Sequence, residues 1–296
     1  MNLKKICALI CATMLINSTA LSAENDSTSE LKANEIEYDM DTEILEASGN
    51  VVMQHQETSA PNPEANIPSE VNADSVDYDM NTGVVTATGN VLLKRGTDRA
   101  TGERAMYNVN TKAAYLFGNV IVVREDLRVT CDSVHNDGNG HMQADGNVYA
   151  VQKIAPNAKY PNGDTRTFKG EHVDYYPDDK KHVIIPTGGI VTSNDGTFTA
   201  NFMEGWFDEE YYYGTGNVHV VSPPKELEGG GDRIDYYAKE NGKAVLTGNA
   251  WVIQKNNTMR GNRLTVYLAD EQNKTVIQSQ EKVLPHETLH DSPFKN

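Results

Sequence analysis

The chain is short of cysteine, of positive charge and of long apolar runs. Its only cysteines are Cys7, Cys11 and Cys131, and the first two fall in an N-terminal stretch with the marks of a removed leader. One remaining thiol excludes an internal disulfide framework, so stability must come from packing and strand pairing. Basic residues number 26 against 42 acidic ones, a formal net charge of −16. Such a surface repels polyanions and offers no basic stripe, which excludes nucleic acid as a partner. No segment beyond residue 23 is long and apolar enough to cross about 30 Å of hydrocarbon as a helix.

Lys4 and Lys5 precede a short apolar stretch from Ile6 to Ile16, and Leu21-Ser22-Ala23 ends in a small residue suited to cleavage. The pattern predicts a signal peptide at 1–23 and a mature chain that starts at Glu24, outside the cytoplasm. Eleven residues do not span the hydrocarbon layer, so a retained anchor is the weaker reading. Without Lys4 and Lys5 the exported chain holds 24 basic and 42 acidic residues, a net charge of −18. The carboxylates are spread evenly, which suits solubility.

A repeated tripeptide organises the rest of the chain: Gly49-Asn50-Val51, Gly89-Asn90-Val91, Gly118-Asn119-Val120, Gly146-Asn147-Val148, Gly216-Asn217-Val218 and Gly248-Asn249-Ala250, with a degenerate Gly188-Gly189-Ile190. A period near 30 residues means a β-repeat protein with loop insertions. Each unit opens with a second block, starting at Ala33, Ala73, Gly102, Cys131, Gly170, Ala200, Gly231 and Gly261. The first residue of a block is small. The second is Asn34, Asp74, Glu103, Asp132, Glu171, Asn201, Asp232 or Asn262, and the sixth is often Tyr (Tyr38, Tyr78, Tyr107, Tyr175, Tyr236).

Fourth and sixth positions of a block share one face of a strand. Around the tripeptide, Leu45, Ala47, Val51 and Met53 share a face in the same way, as do Val85, Ala87, Val91 and Leu93. Turn residues such as Asp79-Met80-Asn81-Thr82-Gly83 separate the two strands of a unit. The glycine has inward parity and is expected to mark a bend or bulge where a side chain would strike the facing sheet. The expected fold is all-β, with about sixteen antiparallel strands from eight hairpin-like repeats. The repeat domain should cover 32–280, after a flexible 24–31 and before a tail at 281–296. Proline-bearing insertions are expected near 54–70, 152–167 and 222–230.

Little here points to catalysis. The second position carries a carboxylate or an amide in every unit, whereas a catalytic pair should be unique; turn capping and edge solubility account for it. Cys131, His135 and His141 resemble metal ligands, but Cys131 fills the small-residue position of its block and the histidines flank a turn. No nucleophile elbow, phosphate loop or paired zinc motif occurs. Trp206-Phe207 and Tyr211-Tyr212-Tyr213 read either as cross-strand aromatic pairing or as the lining of a lipid path.

Small-Asp-x-aliphatic-x-Tyr, a turn, then Gly-Asn-Val-x-aliphatic resembles the repeat of the LptA/OstA-like family, over about Lys32 to Gln278. The resemblance implies an open, twisted β-jellyroll in the periplasm that stacks end to end and carries lipid A acyl chains between its sheets. It implies no cofactor. Its partners would be lipopolysaccharide, other jellyroll components of a transport bridge at the inner and outer membranes, and further copies of the chain, head to tail. On that reading Ile36, Tyr38, Val76, Tyr78, Val91, Val120, Val148, Val173, Val218 and Ile234 line the lipid path, and the protein is no enzyme. The competing class is a structural or adhesive β-repeat scaffold with a closed core. The inner face separates the two: small residues such as Ala47, Ala87, Ala144 and Gly214 beside a gap favour the carrier.

Overall fold

A strand whose apolar residues alternate must cover one face, and among the described residues all nineteen strands belong to one sheet. The computed structural model describes residues 27–57, 67–157, 160–240, 242–255, 257–268 and 277–279. The expected signal, the segment 58–66 and the tail 281–296 lie outside the described residues. The strands are β1 (Ser27–Lys32), β2 (Glu35–Asp39), β3 (Ile44–Glu57), β4 (Ser69–Asp79), β5 (Val84–Arg95), β6 (Asp98–Asn108) and β7 (Ala114–Arg124). They continue with β8 (Leu127–Asn136), β9 (Met142–Ile154), β10 (Asp164–Tyr176), β11 (His182–Ile185), β12 (Gly189–Ser193) and β13 (Gly196–Ala200). The last are β14 (Phe202–Trp206), β15 (Tyr211–Ser222), β16 (Leu227–Tyr237), β17 (Lys243–Gln254), β18 (Asn257–Tyr267) and β19 (Ile277–Ser279).

From β3 to β10 and from β15 to β19, each strand pairs antiparallel with the next. Three long strands are interrupted. β1 and β2 both pair with β3, β11 and β12 both with β10, and β13 and β14 both with β15. Counting each interrupted pair as one strand turns nineteen into the expected sixteen. β1 lies largely in the segment 24–31 expected to be loose, where the chain is strand from Ser27 onward. The insertions are shorter than expected. β3 runs on to Glu57, β9 to Ile154, and β16 already begins at Leu227 after a 3-10 turn at Pro223–Lys225.

Asx turns shape the hairpins. Asp79 Oδ1 accepts the backbone N–H groups of Asn81 and Thr82 at 2.9 and 3.2 Å, and Asp39 and Asn108 do the same in their own turns.

Each Gly-Asn is a β-bulge. The ladder steps from Ser48 to Val51 on one strand while its partner steps only from Ser75 to Ala73, and the shift recurs across the sheet. Gly89 and Asn90 are both left-handed, with φ of +77° and +47°. A side chain at Gly89 would collide with Asp74 on the neighbouring strand, not with a facing sheet as the sequence had suggested. The same relation holds for Gly49 with Asn34, Gly118 with Glu103, Gly146 with Asp132 and Gly248 with Asp232. The bulge asparagine then closes the contact: Asn90 donates to Asp74 at 2.9 Å, Asn119 to Glu103 at 2.7 Å and Asn147 to Asp132 at 3.0 Å. The acidic second position is therefore a bulge partner.

A bulge in mid-strand bends the strand and sharpens its twist. The inward residues on both sides of the bulge line are covered, and only the other half of the same sheet is available to cover them. Leu93, Ala100 and Val122 from one half line a small hollow together with Ala114, Leu116 and Val134 from the other. The Phe198 ring likewise occupies the space that a side chain at Gly214 would need. The sheet is thus folded along its bulges into two facing layers.

Candidate functional site

The ladders define inward rows that cross the whole sheet. One passes through Ala87, Ala105, Leu116, Val134, Ala144 and Val173. Another, beyond the bulges, passes through Leu93, Ala100, Val122, Val129, Ala150 and Phe168, and continues to Val191 and Phe198. Between them, small block-opening residues alternate with the valines of the tripeptides, as in the pairs Val91–Gly102, Val120–Cys131 and Val148–Gly170. That crowded row along the fold line explains why the first position is small.

Closure along these rows is uneven. One core gathers buried residues from Leu45 to Val148, a second those from Ile185 to Val266. Between them the inward residues Val129, Val134, Ala144, Phe168, Val173 and Val191 are only half-buried. Phe168 and Val173 touch both cores. The strands break in this stretch, at Pro186-Thr187-Gly188 between β11 and β12 and at Asn201 between β13 and β14. The rows run on across these breaks and their residues pack against the cores, so the two cores meet at a less completely covered junction, an apolar seam.

The residues expected to line a lipid path divide accordingly. Val76, Tyr78, Val91, Val120, Val148, Val218 and Ile234 point inward but are buried in one or other closed core, with Val120 at 0% exposure. Val173 stands in the seam and Tyr38 is half-buried near the first edge. Ile36 is 47% exposed, because the edge strand β2 has a neighbour on one side only. The small inward positions divide too. Ala47 and Ala87 are buried, Phe198 fills the space beside Gly214, and Ala144 alone borders the seam. The half-burial of the inward row from Val129 to Val191 has no signal in the sequence, where these residues alternate as the buried ones do.

The outer face holds its own array. His141, Tyr176, His182, Trp206, Tyr211 and Tyr237 stack across neighbouring strands with centroid separations of 4.4 to 5.8 Å. Carboxylates tie the rings down: His141 to Asp174 at 2.8 Å, His182 to Glu204 at 2.7 Å and Tyr211 to Asp235 at 2.7 Å. His172 is bonded through Nδ1 to Asp145 and through Nε2 to Asp174. Burial opposes its charge, but the hydrogen bonds and fields of the two carboxylates outweigh that and raise its pKa. The aromatic run is thereby accounted for as cross-strand pairing, with Trp206 and Tyr211 outward and Phe207 edge-on to Tyr212 at 5.7 Å. This array braces the strands whose inner face is least covered.

Cys131 is buried on the inner face, where burial pushes its thiol up to about 11. His135 and His141 lie outside, stacked on Tyr115 and Tyr176 at 4.0 and 4.4 Å. They do not converge with the thiol. Among the described residues no group of His, Cys, Asp and Glu is placed to hold a metal.

An antiparallel sheet of hairpin units, folded along a line of bulges with open end strands, defines a β-jellyroll repeat protein. The family model described as "LptA/(LptD N-terminal domain) LPS transport protein" matches residues 70–106 and 210–272, bearing out the resemblance read in the repeats. The first matched segment covers β4 to β6 within the first core, and the second covers β15 to β18 within the second. Among solved structures the chain is similar to LptH from Pseudomonas aeruginosa, described as "the LptA homologous periplasmic component of the conserved lipopolysaccharide transport device". The two are 18% identical over 38% of this chain and 76% of that one, with a TM-score of 0.30. No curated protein matches the chain.

Proposed function

We propose that the protein is a non-enzymatic periplasmic carrier of lipopolysaccharide that shelters lipid A acyl chains in the seam between its two cores. The observation that carries this reading is the half-buried inward row through Val134, Ala144, Phe168 and Val173. An acyl chain of about a dozen methylenes gains roughly 10 kcal/mol on leaving water, at about 0.8 kcal/mol per CH₂. Repulsion between a surface carboxylate and a lipid phosphate is only about 1 kcal/mol per close pair in water, and salt screens it. An acidic carrier can therefore hold an anionic lipid whose head group stays at the surface.

The ends of the sheet suit assembly into a bridge between membranes. Among the described residues β2 pairs only with β3, and β19 covers only Leu264 to Val266 of β18, so both edges of the described sheet present backbone groups without a strand partner. Further copies of the chain, or jellyroll components at the inner and outer membranes, are the partners on this reading. A closed scaffold is the second reading, and the full burial of Val76, Val91 and Val120 favours it.

Photo-crosslinking in cells that make lipopolysaccharide separates the two. Probes at Val134 and Val173 should give lipid adducts, while probes at the core residue Val91 and at the outward Asn119 should give none. A well-expressed, folded chain without adducts at either seam position would favour the scaffold.

A further inference from the structure

One inward row lies beyond the row of Leu93, Val122 and Phe168 and forms the rim of the seam. It runs through Arg124, Leu127, Gln152 and Arg166, which oppose one another across β7 to β10. In a chain with 42 acidic and 26 basic residues, Arg124 and Arg166 at this rim stand out, and Arg95 continues the row opposite Asp98.

Each is held from behind by a buried carboxylate. Arg124 Nε lies 3.5 Å from Asp98 Oδ2, and Arg166 Nε donates to Asp164 Oδ2 at 2.9 Å. Asp98 and Asp164 are only 7% and 5% exposed, and Asp164 also accepts the Asn194 backbone N–H at 3.0 Å. Asp164 fixes the Nε side of Arg166 and Asp98 pairs electrostatically with that of Arg124, which leaves the Nη atoms of Arg124 and one Nη of Arg166 for other partners. Arg124 has no hydrogen-bond partner on Nη among the described residues. Arg166 donates through Nη2 to the Tyr160 hydroxyl and lies 5.1 Å from the centre of that ring, so the loop between β9 and β10 folds back over the rim.

The opposite lip is phenolic. Burial raises the pKa of Tyr175, while the positive fields of Lys181 and Arg124 oppose the rise. Burial pushes Tyr212 up to about 12, and the field of Arg166 opposes it. The strand registers place Tyr175 and Tyr212 on the opposite side of the bulge line from Arg124 and Arg166. Arg124 and Arg166 stand three strand spacings apart, about 14 Å at the usual 4.7–4.9 Å per strand. That span suits a disaccharide-sized head group with an anion at each end.

We propose that Arg124 and Arg166 form a two-point anion site at the rim of the seam, which takes the phosphate groups of an amphiphile whose acyl chains lie between the sheet layers. The proposal rests on the carrier reading for its ligand, although the anion site can be tested without it. The overall negative charge steers loose anions away. The two aspartates hold the guanidiniums in place, so a phosphate need not order two long side chains itself.

The test measures binding of bisphosphorylated lipid A and of the same lipid after dephosphorylation to the purified chain, to Arg124→Gln, to Arg166→Gln and to the double variant. Unfolding midpoints confirm that the variants are folded. The double variant should bind the phosphorylated lipid at least tenfold more weakly and the dephosphorylated lipid as the parent does. Equal weakening for both lipids, or no weakening, overturns the anion site and leaves the carrier reading standing. If the parent binds neither lipid, the carrier reading fails, and phosphorus NMR with pyrophosphate decides the site alone. Line broadening by the parent that the double variant lacks would keep it as a site for a free phosphate compound, and no broadening would overturn it.

Discussion

Gly89→Ala tests whether the bulges hold the sheet folded. Gly89 has φ of +77°, and a Cβ there would lie 2.8 Å from Cγ and 2.9 Å from Cβ of Asp74, closer than carbon atoms tolerate. The left-handed backbone costs a residue with a side chain about 1–2 kcal/mol. Displacing Asp74 also weakens its 2.9 Å hydrogen bond from Asn90, worth about 1 kcal/mol at an exposed site. The expected loss is about 2–3 kcal/mol, a fall in melting temperature of roughly 5–10 °C for a domain of this size. Asp74→Ala alone should cost about 1 kcal/mol, because it removes the hydrogen bond but leaves the glycine in place. The double variant should fall short of the sum of the two by about 1 kcal/mol, since the carboxylate that the new methyl group strikes is gone. Urea unfolding of all four proteins, with midpoint and slope both read, measures the cycle. A Gly89→Ala loss below about 0.5 kcal/mol, or additivity within about 0.3 kcal/mol, would refute the account of the bulge.

Four other variants have outcomes set by the structure. Val120→Asp places a carboxylate at a fully buried position of the first core and should destabilise by about 4 kcal/mol or more. Val173→Asp in the half-buried seam should cost about 1 kcal/mol and still reduce lipid crosslinking; equal stability losses at the two sites would contradict the division into cores and seam. The raised pKa of His172 makes its contribution complete below the unfolded value of about 6.5 and lost as pH rises through the folded value. Chemical unfolding across that range should show stability falling with pH, and the fall should flatten in His172→Gln; an unchanged profile would remove His172 as its source. Ile36→Lys puts a charge on the exposed edge strand and should lower concentration-dependent assembly measured by sedimentation, and assembly unaffected by it would move the contact elsewhere.

Most of the architecture was legible because each repeat states it again. Tyr78, Val85 and Tyr107 were placed on the inner face by period-two alternation alone, and all three are buried there. The turns at Asp39, Asp79 and Asn108 were legible for the same reason, since an Asx turn needs only its own four residues. The bulge was legible at the glycine but its partner was not. Asp74 precedes Gly89 by 15 residues, and only the strand register brings the two together. The arginine rim escaped notice as well. Arg124 and Arg166 have no shared motif, and they fall on one row only after several hairpins have set their registers.

The sequence by itself determined the repeat, the hairpins, the inward and outward faces and the line of bulges, because each of these depends on residues near one another in the chain. Tertiary structure alone decided which inward residues are sealed and which are only partly covered. Val120 and Val173 read alike as inward aliphatics, yet one is fully covered and the other half-exposed. The difference is made by what lies opposite. Val120 lies within the first core, whereas Val173 lies where the two cores meet, and cover across a fold line depends on residues far away in the chain.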